Sequence, residues 1–67
     1  MRRELGDRIR ELRRAQRLSQ VQLGERTGLD HRTISRAENA VHAISVDRAY
    51  LIAAGLGVPL WRLFRDE

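Results

Sequence analysis

The sequence has no cysteine and no lysine, a single proline, and only one tryptophan, one tyrosine and one phenylalanine in 67 residues. Without cysteine there is no disulfide framework and no thiolate site for structural zinc. No apolar run approaches the ~18 residues of a membrane span. The opening stretch MRRELGDRIRELRR lacks the apolar core of a secretory leader. Carboxylates are scattered or stand where helix caps belong, and no motif arranges a serine, a histidine and a carboxylate together. That excludes a legible catalytic site, so no enzyme activity, metal or cofactor is expected. A chain this short is one small domain, residues 1–67. It buries only roughly 60% of its unfolded surface, so a partner subunit would help its stability.

What the sequence does hold is arginine. All 13 basic residues are arginines, against 9 carboxylates, for a formal charge of +4. The surplus is local. Residues 1–18 carry seven arginines against Glu4, Asp7 and Glu11, whereas residues 19–38 and 39–67 each balance to zero. A basic patch of this kind suits a polyanion partner, although many solvated helices are also rich in arginine.

Apolar spacing describes five short helices and no strand. Leu5, Ile9, Leu12 and Ala15 recur with the period of an amphipathic helix over about Leu5 to Gln16. Ser19-Gln20-Val21-Gln22 reads as a capping box, which starts a second helix over about Gln20 to Thr27 with Leu23 inward. Gly28 ends it. Asp30 is the N-cap candidate for a third helix, His31 to Glu38, with Ile34 and Ala37 as its buried stripe. Ser45 caps a fourth, Val46 to Leu56, with Asp47 in its first turn and an apolar run that marks it as central. Gly57 stops that helix. Pro59 suits the start of a fifth, with Leu60, Leu63 and Phe64 facing inward.

Two short helices joined by a tight glycine turn form a helix-turn-helix unit, about residues 19–38. Gly24 supplies the small residue where the helices approach, Gly28 the turn, and Leu23, Leu29, Ile34 and Ala37 the apolar contact. In the stretches LGDRIRELR, LSQVQLGERTGLDHRTISRAEN and LIAAGLGVPLWRLF, the chain resembles the Cro and lambda-repressor (XRE) type of helix-turn-helix DNA-binding domain. The resemblance runs from about Leu5 to Phe64. It implies an all-α, compact five-helix domain. It also implies a transcriptional regulator, of repressor kind, that binds double-stranded DNA as a homodimer on a two-fold symmetric operator, in the cytoplasm of a prokaryote or encoded by a phage.

Carried over residue by residue, the resemblance places the third helix in the major groove, with His31, Arg32 and Arg36 at base edges. The planar fork of arginine matches O6 and N7 of guanine. His31 donates or accepts according to tautomer. Ser19, Gln20 and Thr33 become phosphate contacts, with Arg10, Arg14 and Arg17 as further candidates. Arg13 and Glu38 match a family ion pair between the first helix and the end of the third. One stretch departs from the family pattern. The loop after Glu38, Asn39-Ala40-Val41-His42-Ala43-Ile44, lacks the glycine and cations the family usually has there, so it grips the DNA backbone less.

Each of these residues also has a plainer role. Arg32 and Arg36 outside such a motif are a solvated helix face, and His31 an ordinary surface histidine. Trp61 either folds back on its own domain or anchors a homodimer, together with Val41 and Ile44. The rival function is a protein-binding module, such as the antitoxin of a toxin–antitoxin pair, with the uncharged loop as its contact surface. Nothing in the sequence indicates a small-molecule ligand.

Overall fold

The structure is a computed structural model that describes residues 2–39 and 44–64, with the side chains of residues 2–4 left aside. It contains four α-helices, α1 (Arg2–Ala15), α2 (Gln20–Thr27), α3 (His31–Glu38) and α4 (Val46–Leu56), followed by a 3-10 turn, Leu60–Leu63. Among the described residues there is no strand. No helix is long and apolar enough to cross a membrane.

Local side-chain chemistry sets most helix ends. The Ser19 hydroxyl accepts from the Gln22 N–H at 3.0 Å, and the Ser19 N–H donates to Gln22 Oε1 at 2.8 Å. Both halves of the capping box are therefore made. Asp30 caps α3 by accepting from the Arg32 N–H at 2.9 Å. Ser45 does the same for α4 through the Arg48 N–H at 3.1 Å. Gly28 ends α2 with φ 76°, a left-handed conformation that costs glycine little.

α3 packs on α1 and α2, while α4 packs on α2 and on the 3-10 turn. The core is aliphatic: Ile9, Leu18, Leu23, Ile34, Ala37, Ala49, Ile52, Ala53, Leu56 and Leu63. None of the three aromatic residues belongs to it.

Three expectations change. Ala15 is exposed; the buried row on α1 is instead Gly6, Ile9 and Arg13, with Leu5 and Leu12 half-buried beside it. The row turns because the helix must present Arg13 to α3. The fifth element is a single 3-10 turn, closed by Arg62 N–H to Pro59 C=O at 3.0 Å and Phe64 N–H to Trp61 C=O at 2.9 Å. At three residues per turn, Leu60 and Leu63 share one edge, and Trp61 and Phe64 share the next. Phe64 is consequently 60% exposed rather than inward. Finally, α4 is not enclosed on most sides. It buries Ala49, Ile52, Ala53 and Leu56 but exposes Val46, Tyr50 and Leu51.

α1 crosses the end of α3 at backbone contact. A Cβ on Gly6 would collide with the carbonyl oxygen of Glu38 and lie 2.9 Å from that of Ala37. A Cβ on Gly24 would lie 2.6 Å from the Leu29 carbonyl oxygen, so this small residue lets the turn close on α2. Gly6→Ala therefore separates α1 from α3. It is expected to cost about 2–3 kcal/mol net, against a helix-propensity gain of ~1 kcal/mol. The urea-unfolding midpoint checks this, and an unchanged midpoint contradicts the close crossing.

Candidate nucleic-acid interface

α3 has two unlike sides. Its inner side carries Ile34 and Ala37 into the core and ends in Glu38, whose side chain is fully buried. A buried carboxylate needs a full set of donors. Arg13 supplies two, Nε to Oε2 at 2.5 Å and Nη2 to Oε1 at 3.1 Å. Gln20 donates to Oε1 at 3.1 Å, and Arg10 Nε reaches the same oxygen at 3.4 Å. Arg13 Nη1 also donates to the Leu18 carbonyl at 2.8 Å, which fastens the α1–α2 turn to the same guanidinium. Glu38 thus collects α1, the start of α2 and the end of α3 at one point.

The electrostatics follow. Burial pushes the Glu38 carboxyl upward, but hydrogen bonds from Arg13, Gln20 and Arg10 together with the Arg13 charge outweigh it. The net position is below the ordinary 4.5. Glu38 in turn holds Arg13 protonated, chiefly through their hydrogen bond. At the other end of α3, the Arg32 N–H, with smaller help from nearby cations, holds the Asp30 carboxyl below its usual range.

The outer side of α3 presents His31, Arg32 and Arg36, all exposed. Arg32 and Arg36 lie one turn apart, and their side chains make no hydrogen bond or ion pair with the described residues. His31 Nδ1 lies 3.2 Å from Asp30 Oδ1. Thr33 is half-buried behind them. Ser19 is exposed at the start of α2, its hydroxyl oxygen engaged by Gln22 but its own hydrogen free to donate outward.

The remaining candidates divide. Gln20 is half-buried and turned to Glu38. Arg10 is turned inward: Nη2 donates to the Glu38 carbonyl at 3.3 Å and to Asn39 Oδ1 at 2.9 Å, and Nη1 lies 3.6 Å from Asp7. Arg14 and Arg17 are exposed. Ile44 is half-buried against the core, Trp61 is 47% exposed, and Val41 lies outside the described residues.

Asn39 is a participant that sequence reasoning did not single out. Its amide donates to the Ser35 carbonyl at 2.9 Å and accepts from Arg10, closing the end of α3. The available signal was its place directly after Glu38. Gln16 and Arg26 were also missed. Gln16 Nε2 donates to the Leu56 carbonyl at 2.6 Å, and Arg26 reaches Gln16 Oε1 at 3.3 Å.

A helix-turn-helix family model matches residues 9–60. Among solved structures, the restriction-modification controller protein C.AhdI from Aeromonas hydrophila is similar at 33% identity and a TM-score of 0.86, over 91% of this chain and 92% of that one. A hypothetical transcription factor, NHTF from Neisseria, is similar at 30% identity and a TM-score of 0.87, over 96% of this chain and 74% of that one. No curated protein matches the sequence.

The buried network has a signature in pH. Because the folded-state pKa of Glu38 is depressed, its contribution to stability is complete above the unfolded value near 4.5 and is lost as pH falls through the folded value. Glu38→Gln should remove this acid-labile part and cost about 3–5 kcal/mol by leaving Arg13 buried without a counter-charge. The double variant Arg13→Met with Glu38→Leu should recover much of that loss. Unfolding midpoints at pH 7 and pH 4 measure both, and a Glu38→Gln variant as stable as the parent contradicts the network.

Proposed function

Because this chain belongs to the helix-turn-helix family of DNA-binding transcription regulators, of the Cro and lambda-repressor type, we propose that it is a sequence-specific repressor. It binds a two-fold symmetric operator as a homodimer, with α3 in the major groove. It acts in the cytoplasm of a prokaryote or on behalf of a phage, without catalysis or cofactor. The observation that carries this reading is the two-sidedness of α3. One side and one end are locked by the core and by Glu38, while the other side offers His31, Arg32 and Arg36, and neither arginine side chain makes a hydrogen bond or ion pair among the described residues.

In this reading Arg32 and Arg36 donate to guanine O6 and N7, and His31 meets a neighbouring base edge. Ser19, Thr33, Arg14 and Arg17 meet phosphates. Gln20 and Arg10 support α3 through Glu38 while lying close to the same backbone. Asp30 tempers non-specific attraction beside them. Two recognition helices in a dimer sit about 34 Å apart, one turn of the duplex.

The dimer face belongs to α4 and the 3-10 turn. These two elements pack on each other and leave Tyr50 at 62%, Trp61 at 47% and Phe64 at 60% exposed. A small domain that keeps every aromatic residue out of its core has the side chains that interfaces favour in reserve. Ile44, packed on its own core, takes a smaller part.

Arg32→Ala and Arg36→Ala are each expected to lose roughly 1–3 kcal/mol of discrimination between operator and random duplex. Binding should also weaken steeply with salt, by a slope of about 0.9 in log K against log salt for each phosphate neutralised. Fluorescence anisotropy with both duplexes measures these. Unchanged affinity ratios in both variants remove the base-reading assignment, and salt-insensitive binding points instead to a protein-binding module. For the dimer, sedimentation equilibrium should give twice the 7.8 kDa chain mass, and Trp61→Ala should shift it to monomer with helicity retained. A monomeric parent chain rejects the dimer.

A further inference from the structure

α1 and α4 end with the same pair of hydrogen bonds. After α4, the Gly57 N–H donates to the Ala54 carbonyl and the Val58 N–H to the Ala53 carbonyl, both at 3.0 Å. After α1, the Arg17 N–H donates to the Arg14 carbonyl at 2.9 Å and the Leu18 N–H to the Arg13 carbonyl at 3.1 Å. This closure demands a left-handed residue at its pivot, and glycine is the usual occupant because it has no Cβ to collide with its own carbonyl. α4 uses Gly57 at φ 73°. α1 uses Arg17 at φ 58°, the one non-glycine residue with positive φ among those described.

Among the described residues no side-chain contact compensates for that choice. Arg17 is exposed, and its side chain makes no hydrogen bond or ion pair with the described residues. The turn is already fastened by Arg13 at the Leu18 carbonyl. Arg13 and Arg14 already place positive charge at the end of the α1 dipole. Nor is Arg17 one basic residue among many equivalents. Within the basic segment, Arg10 and Arg13 are tied to Glu38 and Arg8 is paired with Glu11. Among the described side chains of that segment, Arg14 and Arg17 are the cations without a hydrogen bond or ion pair.

We propose that Arg17 is a phosphate-binding residue held in an unfavourable backbone conformation, so that this chain gives up stability at the end of α1 in exchange for affinity for a polyanion. The proposal rests on the DNA-binding reading above and specifies what one residue contributes to it. Its consequence is a pair of effects of opposite sign. Removing the side chain should strengthen the fold and weaken binding together, which neither a structural role nor an idle surface arginine produces.

The test uses the full chain as Arg17→Gly, Arg17→Asn and Arg17→Lys, with thermal unfolding and anisotropy titrations on a labelled random-sequence duplex over a salt series. Arg17→Gly should melt roughly 2–6 °C higher, net of the greater freedom of glycine in the unfolded chain. It should bind roughly threefold to tenfold more weakly at low salt and lose about 0.9 from the salt slope. Arg17→Asn, which tolerates the left-handed region without the charge, should follow it in direction. Arg17→Lys should keep the parent melting temperature and salt slope. A stabilised Arg17→Gly with undiminished affinity and slope overturns the exchange, and so does one that gains no stability. If the parent chain itself shows no salt-dependent duplex binding, the DNA reading fails and takes this proposal with it; loss confined to the variants cannot be mistaken for that outcome.

Discussion

Glu38 is a carboxylate taken wholly out of water, and the rest of the molecule is arranged around keeping it charged. Desolvating such a group costs several kcal/mol unless donors surround it. Arg13 offers a two-pronged fork from α1, Gln20 an amide from the start of α2, and Arg10 a second guanidinium that also holds the last carbonyl of α3. Those donors come from two helices, α1 and α2, and the carboxylate they surround belongs to a third, so satisfying one side chain fixes three helices relative to each other. Gly6 makes the arrangement possible, because α1 reaches Glu38 only by lying directly on the α3 backbone.

Locking α3 on its inner side is what makes its outer side useful. In the proposed function α3 must not roll or slide, because two arginines one turn apart would read bases only from a defined position. The same division of labour runs through the other arginines. Arg8, Arg10, Arg13 and Arg26 are engaged within the protein, while Arg14, Arg17, Arg32 and Arg36 are left to the solvent side. The aromatic residues follow a parallel rule. The core is filled by aliphatic side chains alone, and Tyr50, Trp61 and Phe64 remain on α4 and the turn behind it.

Features governed by neighbours in sequence were legible in advance. Ser19 with Gln22, Asp30 before Arg32, Ser45 before Arg48, and Gly28 at its turn are local chemistry, and the helix-turn-helix unit follows from them with Leu23, Ile34 and Ala37. The features that depend on how helices cross were not. Arg10 and Arg14 are chemically alike and one turn apart, yet only the first faces α3. Ala15 falls outside because α1 rotates to deliver Arg13. Phe64 faces out because a single turn after Pro59 closes with three residues per turn. Arg17 gives no sign in the sequence that it occupies the left-handed place that Gly57 fills after α4.

In the proposed function a helix held by Glu38 reads DNA from two symmetric copies. Selection of bound sequences from a random duplex pool tests it most directly, because sequence preference, symmetry and spacing emerge together. Two inverted, guanine-containing half-sites with centres about 10 base pairs apart are the expected outcome. A selected pool with no sequence enriched over the starting mixture contradicts it.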